Sequence, residues 1–317
     1  MIDRLPPFEV LEGFDEALIY SDGAVEDRLL ALFSQADEGA IALEIQRILR
    51  DHPSWPEQVH LAPQRWHLLD WYPFRGTATL LELGAGCGAL TGLFCERVAH
   101  VDALELSARR ARIVQLRHRI RSNLRVLVGD LAHLAARGVR YDYVVAVGVL
   151  EYAGRYGRPP ALPSSPQAPY RQLLHDVWSV LAPGGTLLLA IENQLGVRYL
   201  SGCAEDHYGR PLVGIEDYIE DTGVRTFGKV ELQRLIEQAG MSVERFYYPV
   251  PDYKLPIAIY SDDLPPGSIE HIALLYPAAY GSYPQGPYFD EGRFMHIAGR
   301  NELATLFANA FLVECRR

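Results

Sequence analysis

The stretch LLELGAGCGALTG, residues 80–92, constrains the fold of this chain more than any other part of the sequence. An apolar run that ends in an acidic residue is typical of a buried parallel strand, and we predict one at 79–83. The alternating Gly84, Gly86 and Gly88 then form a turn at which a side chain would collide with a ligand lying on the backbone. The turn therefore predicts a binding site for a nucleotide-type cofactor.

An acidic residue about twenty positions further on supports the same interpretation. Glu105 ends the next apolar run, VDALE, where a carboxylate can accept hydrogen bonds from both ribose hydroxyls. Gly84, Gly86 and Ala89 also satisfy the dinucleotide fingerprint G-x-G-x-x-G/A, so the motif by itself leaves a nicotinamide cofactor open.

Strand and helix patterns alternate along the chain, which predicts a parallel sheet with right-handed crossovers. Five strands are predicted near 79–83, 101–105, 124–129, 142–147 and 185–191, with a sixth in VERFYYPV and a last in FANAFLVECRR. Helices are predicted at 170–181 and at about 229–239, and three more helical patterns precede the first strand.

Three further features accompany the glycine turn: Glu82 just before it, Asp130 at the end of the third strand, and LAPGGTLLLAIEN leading into the fifth. With them the chain resembles the class I S-adenosylmethionine-dependent methyltransferases over roughly residues 56–240. The resemblance implies a doubly wound, Rossmann-like α/β sheet of seven strands whose last strand is antiparallel. The three helical patterns before the first strand predict an N-terminal helical cap at 1–74, ahead of a methyltransferase domain at 75–317. Long loops at the carboxyl edge of the sheet predict acceptor-side insertions at about 151–169, 192–227 and 251–306.

The resemblance implies S-adenosyl-L-methionine as the cofactor and carries its binding roles onto matching positions. In chain order, these positions are Glu82, Gly84, Ala85, Gly86 and Gly88 near the methionine part, Glu105 and Leu106 at the ribose, Asp130 and Leu131 at the adenine, and Gly148, Val149 and Glu151 beneath the sulfonium.

The loop AEDHYGRP, which follows the fifth strand, contains the first candidate for a general base. His207 titrates near neutrality, and Glu205 or Asp206 could orient it, although a histidine beside acids is also common in surface loops. Two further candidates are His60, in HLAPQR, and Asp252, after the sixth strand.

No metal site is predicted from the spacing of ligand-type residues. The four cysteines show no metal-ligand spacing. Glu151, Glu192 and Asn193 end neighbouring strands, however, and this leaves metal-assisted activation of the acceptor open.

Segments such as YSDG, HLAPQR and IENQLGVRYLSGCAEDHYGRP are similar to bacterial methyltransferase domains associated with glycosyltransferases in surface-polysaccharide biosynthesis. This similarity implies O-methylation of a saccharide or surface-glycan precursor, with a glycosyltransferase as a candidate partner. Tyrosines in the edge loops could stack on sugar rings, or could pin these loops to the core. Two alternatives stay open: N-methylation of an amino sugar or small metabolite, and a catalytically silent cofactor-binding module that partners a glycosyltransferase.

Charge and hydropathy exclude other classes of function. The formal net charge is −10, and no basic run is dense enough to follow a phosphate backbone, so we expect no nucleic-acid substrate. The basic stretch 109–125 is predicted to be a solvated helix face, with Ile113, Leu116 and Ile120 turned toward the sheet. No leader and no membrane span are apparent, so a cytoplasmic protein is expected.

Overall fold

The computed structural model describes residues 8–14, 21–157, 165–220, 222–266, 275–276 and 281–317. The chain divides into two compact units. The first unit consists of residues 1–145 with 179–185, and the second unit consists of residues 146–178 with 186–317.

The first unit contains the strands that lead to the glycine turn. They are β1 (Glu9–Val10), β2 (Thr79–Leu83), β3 (His100–Glu105), β4 (Leu124–Val128) and most of β5 (Tyr141–Val147), in the order β1-β4-β3-β2-β5. The pairs β1 with β4, β4 with β3, and β3 with β2 are parallel. The two-residue strand β1 was not predicted, because so short a segment carries no periodic signal.

Helices of the first unit flank these strands in chain order. They are α1 (Ala24–Phe33), α2 (Glu38–Arg50), α3 (Trp55–Leu61), a 3₁₀ helix (Pro63–Leu68), α4 (Thr91–Arg97), α5 (Ala108–Arg117) and α6 (Leu131–Ala135).

The N-terminal helices share one apolar cluster with the glycine turn and α5. Leu29, Phe33 and Leu61 pack in a buried cluster with Cys87 of the turn and Ile113 of α5. Burial of this apolar surface holds the helices to the strand region. The division between units therefore does not fall at residue 74, and the cap at 1–74 as a separate domain stays a prediction.

The second unit contains the remaining strands and helices. They are a 3₁₀ helix (Leu150–Tyr152), α7 (Ala153–Tyr156), most of α8 (Ala168–Val180), most of β6 (Leu181–Glu192), α9 (Val197–Leu200), α10 (Lys229–Gln238), β7 (Ser242–Val250), β8 (Ala258–Ser261), α11 (Glu291–Arg300), α12 (Ala304–Phe307) and β9 (Ala310–Arg316). The strand order is β6-β9-β7-β8.

Strand β9 lies between β6 and β7 and is antiparallel to both, as predicted for the last strand. Strand β8 pairs with β7 in a hairpin inside the predicted insertion 251–306 and was not predicted. The predicted α/β class with a mixed sheet is confirmed, with nine strands among the described residues rather than seven.

The basic stretch 109–125 differs from its prediction. Ile113 and Leu116 are buried as expected, but Ile120 is 75% exposed because α5 ends at Arg117, before it. Arg110 is buried in an ion-pair network rather than solvated. No described helix is long and apolar enough to cross a bilayer.

Candidate active site

Glu105 closes the glycine turn of the first unit through both of its carboxylate oxygens. Its Oε2 accepts the backbone N–H of Gly86 at 2.8 Å, and its Oε1 accepts that of Ser107 at 3.0 Å. Burial raises the pKa of Glu105, while the charge of Arg110 opposes that shift. Because an ionised carboxylate has about four acceptor positions, these two bonds leave capacity for ligand hydroxyls.

Open space lies beside Gly86. Its φ is +57°, and a Cβ placed there would meet no described atom within 4 Å. The glycine is therefore not required by neighbouring protein atoms, although its backbone conformation favours glycine. A cofactor lying on the turn, as the sequence predicts, fits this open cradle beside a carboxylate.

Glu82 is buried at the end of β2 and accepts the Thr91 hydroxyl at 2.6 Å. Burial raises the pKa of Glu82 to about 8. The contact ties β2 to the first residue of α4, which is the turn-fixing role for such a carboxylate. A direct role for Glu82 at the methionine part of the cofactor stays a prediction.

Asp130 caps α6 after β4. Its Oδ1 accepts the backbone N–H of His133 at 2.9 Å and lies 2.6 Å from Nδ1 of the same residue. The next residue, Leu131, is buried in α6. Helix capping therefore explains Asp130 locally, and its contact with adenine stays a prediction. The contacts of Leu106 with the ribose, and of Gly84, Ala85 and Gly88 with the methionine part of the cofactor, also stay predictions.

Two basic residues at the end of α5 form hydrogen bonds that hold the glycine turn in place. Arg117 Nη1 donates to the carbonyl oxygens of His60 and Cys87 at 2.8 and 3.1 Å. His118 Nε2 lies 2.8 Å from the carbonyl oxygen of Gly88. Burial lowers the pKa of His118 to about 3, so the ring is neutral and donates this bond. The sequence prediction missed both supports because they lie within a run of basic residues.

His60 belongs to an ion-pair network in the first unit. Its Nε2 lies 2.9 Å from Asp22 Oδ2, which also accepts Arg110 Nη2 at 2.6 Å. Arg110 Nε donates to the buried Glu26 at 2.7 Å. His60 therefore connects the end of α3 to the turn before α1 and, through Asp22 and Arg110, to α5. These contacts give His60 a structural role and do not favour it as the base.

Gly148 and Val149 follow β5 in the second unit. A Cβ on Gly148 would lie 2.8 Å from the Tyr253 hydroxyl and 3.4 Å from Glu151 Oε1, so the glycine permits a close approach by both side chains. Their predicted position beneath the sulfonium stays untested. The side chain of Glu151 takes part in the acidic cluster described next.

Glu151, Glu192 and His207 meet in the second unit. One potential ligand atom from each lies within 4.8 Å of the other two. Both glutamates are 1% exposed, and neither Glu151 Oε2 nor Glu192 Oε2 finds a hydrogen-bond partner among the described residues. Burial, together with the charge of Glu192, raises the pKa of Glu151 to about 8.

His207 is oriented by Glu205, one of the two acids predicted for that task. His207 Nδ1 lies 2.7 Å from Glu205 Oε1, and Glu205 Oε2 accepts the backbone N–H groups of His207 and Tyr208. Burial alone would lower the pKa of His207, but the hydrogen bond to Glu205 and the charge of Glu192 raise it to about 9. At neutral pH the ring therefore holds both protons, which does not favour it as a general base.

Asp206 and Asp252 are occupied by cations. Asp252 accepts Arg198 Nη1 at 2.9 Å and the backbone N–H of Lys254 at 2.7 Å. Asp206 pairs with Arg198 and with Lys254 Nζ, the latter at 2.8 Å, and Lys254 also pairs with Glu192. These pairs hold the cluster together and do not favour either aspartate as the base.

The link between β7 and β9 supports the loop that carries His207. Ala204 donates its N–H to the carbonyl of Ser282 at 2.7 Å, and Tyr288 donates to the carbonyl of Ser201 at 2.8 Å. The Ser201 hydroxyl also donates to Glu291 of α11 at 2.8 Å. This part of the predicted insertion 251–306 therefore acts as a brace.

Most tyrosines of these loops are engaged by the protein, which agrees with the interpretation that they pin the loops. Tyr208 donates to the carbonyl of Val224, Tyr218 bonds Thr226, and Tyr253 donates to Glu192. Tyr280 lies outside the described residues. The ring of Tyr152 packs edge-on against His207 at 5.1 Å.

Comparison with known proteins places a methyltransferase domain at residues 81–187, from β2 into β6. A curated ornithine lipid N-methyltransferase of Singulisphaera acidiphila is 34% identical over 122 residues, which cover 36% of this chain and 57% of that relative. Ribosomal RNA small subunit methyltransferase A of Syntrophus aciditrophicus is 31% identical over 70 residues, 22% of each chain. The chain thus spans about half or less of the curated relatives it matches.

Among solved structures, an S-adenosylmethionine-dependent methyltransferase from Mesorhizobium loti matches with 17% identity and a TM-score of 0.45. The match covers 81% of this chain and 99% of that one. The glycine turn, Glu105 and Asp130 all lie within residues 81–187, and a match to the methyltransferase domain family implies S-adenosylmethionine as the cofactor. Residues 81–187 of this chain match the methyltransferase domain family, and both curated relatives are methyltransferases.

Proposed function

We propose that the protein transfers a methyl group from S-adenosylmethionine to a hydroxyl group of a saccharide or surface-glycan precursor. The observation that carries this proposal is the buried Glu151 and Glu192 pair, whose Oε2 atoms have no hydrogen-bond partner among the described residues. Methyl transfer from a sulfonium is an in-line displacement, so much of the rate comes from holding donor and acceptor in position.

A hydroxyl acceptor must lose a proton, and a neutral amine needs less help. A positioned proton acceptor contributes about a hundred- to ten-thousand-fold to such a reaction. Glu151 supplies a candidate, because its Oε2 is buried, unpartnered and close to Glu192 and His207. This favours Glu151 over the predicted His207, whose Nδ1 is engaged by Glu205. Because the pKa of Glu151 is about 8, only the minor ionised form acts as the base at neutral pH, and turnover by this route should rise toward pH 8.

A methyl acceptor that carries several hydroxyl groups needs hydrogen-bond donors and hydrogen-bond acceptors at one place in the protein. The cluster offers both, because Lys254 and Asp206 form a partly exposed ion pair beside the buried acids. The sequence similarity to polysaccharide-associated methyltransferase domains supports the same substrate class. The hydroxyl groups of several loop tyrosines already form hydrogen bonds within the protein, so the proposal does not depend on tyrosine rings stacking on a sugar.

N-methylation is the second candidate. Two unpartnered carboxyl oxygens would also attract a protonated amine, which would pass one proton to a carboxylate before its nitrogen attacks the methyl group. One matching relative is named an ornithine lipid N-methyltransferase. An amino group on a sugar or small metabolite would then take the place of the hydroxyl.

The test uses the full chain with S-adenosylmethionine carrying a ¹³C methyl group and two panels of acceptors. One panel contains nucleotide sugars and glycan precursors, and the other contains amino sugars and amine-bearing small molecules. We expect ¹³C in a methyl ether that resists acid and does not titrate. Label found only in amines would replace the proposal by the N-methyltransferase candidate. Cofactor binding without S-adenosylhomocysteine formation on any acceptor or cell extract would indicate the silent module.

A further inference from the structure

We propose that Glu151, Glu192 and His207 bind a divalent ion of the first transition row. The three residues come from separate segments: the 3₁₀ helix after β5, the end of β6, and the loop after α9. One potential ligand atom of each lies within 4.8 Å of the other two. Sequence spacing predicted no metal site but left metal-assisted activation at Glu151, Glu192 and Asn193 open; the present proposal keeps both glutamates and takes His207 in place of Asn193.

The second observation is independent of this proximity. Glu151 Oε2 and Glu192 Oε2 are buried side-chain atoms without a hydrogen-bond partner among the described residues. A buried carboxylate oxygen is costly unless it is paired, hydrogen-bonded or bound to a metal. Two such oxygens in one cluster are what a cation between them would satisfy.

The third observation concerns the other nitrogen of His207. Its Nδ1 lies 2.7 Å from Glu205 Oε1, and Glu205 is itself fixed by two backbone N–H groups. Metal-bound histidines usually donate their second N–H to a carboxylate in this way. Nε2 is then the nitrogen that can bind the ion, which would displace the proton held there.

The donor set indicates which ion is expected. Two carboxylates with one imidazole suit Mn²⁺, Fe²⁺ or Zn²⁺ better than Ca²⁺, which prefers oxygen ligands alone. Ligands about 2.1 Å from a shared ion lie at most about 4.2 Å apart, so atoms that already lie within 4.8 Å of one another need to close by at most several tenths of an ångström. The ammonium group of Lys254 pairs with Glu192 and competes with the ion, so it lowers the metal affinity of the site. Lys254 also pairs with Asp206, which can hold the ammonium group when an ion binds Glu192.

The catalytic use of this ion rests on the proposed hydroxyl methylation, whereas its binding does not. In the ion-bound protein Glu151 is a ligand, so the ion, rather than the free Glu151 carboxylate, would activate the acceptor. Three protein ligands leave coordination positions open, and a hydroxyl bound at one of them would lose its proton more readily. The site would thereby select acceptors that present a hydroxyl.

The test measures metal binding without cofactor or acceptor. Chelator-treated protein is titrated with MnCl₂, and binding is measured as the loss of the electron paramagnetic resonance signal of free Mn²⁺. A separate titration with ZnCl₂ is measured by calorimetry. We expect one ion per chain, an increase in melting temperature, and affinity losses of about tenfold or more in both Glu192→Gln and His207→Gln. Glu220→Gln is the control, because Glu220 forms an exposed pair with Arg210 and should bind like wild type.

Wild-type protein that binds no stoichiometric ion would overturn the metal site, as would either variant binding as tightly as wild type. If one variant fails to fold, the wild-type titration and the other variant decide the result. Turnover by chelated protein at the full rate would overturn the metal's catalytic use while leaving the methyltransferase proposal intact. Metal binding without methyl transfer to any hydroxyl would overturn the proposed function and leave the metal site standing.

Discussion

Replacing Gly86 by alanine should separate cofactor binding from stability. Gly86 has φ +57°, and an added Cβ meets no atom of the described residues within 4 Å. The cost that these residues impose is therefore the left-handed backbone conformation, about 1 to 2 kcal/mol for an L-residue. The added methyl would nevertheless enter the open space that the cofactor is expected to fill. We expect at least a tenfold loss of S-adenosylmethionine affinity, about 1.4 kcal/mol.

Gly138→Ala is the matched control for this experiment. Gly138 has φ +69° and also has open space around its Cβ, but it follows α6 and is not part of the turn. Urea denaturation should show a loss of about 1 to 2 kcal/mol in both variants, and calorimetry should show weaker cofactor binding in Gly86→Ala alone. Wild-type affinity in a folded Gly86→Ala protein would refute the placement of the cofactor on the turn.

Three further predictions follow from named contacts. Glu105→Gln should weaken S-adenosylmethionine and S-adenosylhomocysteine by about ten- to a hundred-fold in calorimetry, since a charge-assisted acceptor is lost, while the exposed Glu96→Gln should not. The pKa of His118 is lowered to about 3 in the folded chain, so on acidification the unfolded chain binds a proton first, and the free energy of unfolding falls as the pH drops below about 6.5. The loss between neutral pH and pH 5 is at most about 2 kcal/mol. A His118→Gln protein whose stability in urea denaturation falls with the same pH slope would refute His118 as the origin. Glu291→Ala should lower acceptor turnover but not cofactor affinity, because it removes the bond that braces Ser201, and equal turnover would show that the brace is dispensable.

The strands and the glycine turn were predictable because their signals are local. Strand β2 matches its predicted bounds, since a short apolar run followed by glycines determines both ends. Strand β9 was recognised from its alternation, while its place between β6 and β7 came from the family resemblance. The two-residue β1 and the hairpin strand β8 carry too few residues for a period to show.

The side-chain clusters were less predictable, because their members converge from distant segments. The sequence identified His207 and two neighbouring acids that could orient it, but the choice of Glu205 over Asp206 depends on how the loop turns. It could not show that Arg198 and Lys254 occupy Asp206 and Asp252. The contact of Arg117 with the glycine turn also depends on where α5 ends.

We propose that the buried acids of the second unit perform the chemistry, while the glycine turn of the first unit holds the cofactor. The most direct test is to measure S-adenosylmethionine affinity and single-turnover methyl transfer in the same preparation of Glu151→Gln, which keeps the shape of the side chain. We expect affinity within about threefold of wild type and turnover lower by a hundred-fold or more. Wild-type turnover in this variant, or a loss of turnover that only follows a matching loss of cofactor affinity, would contradict the account.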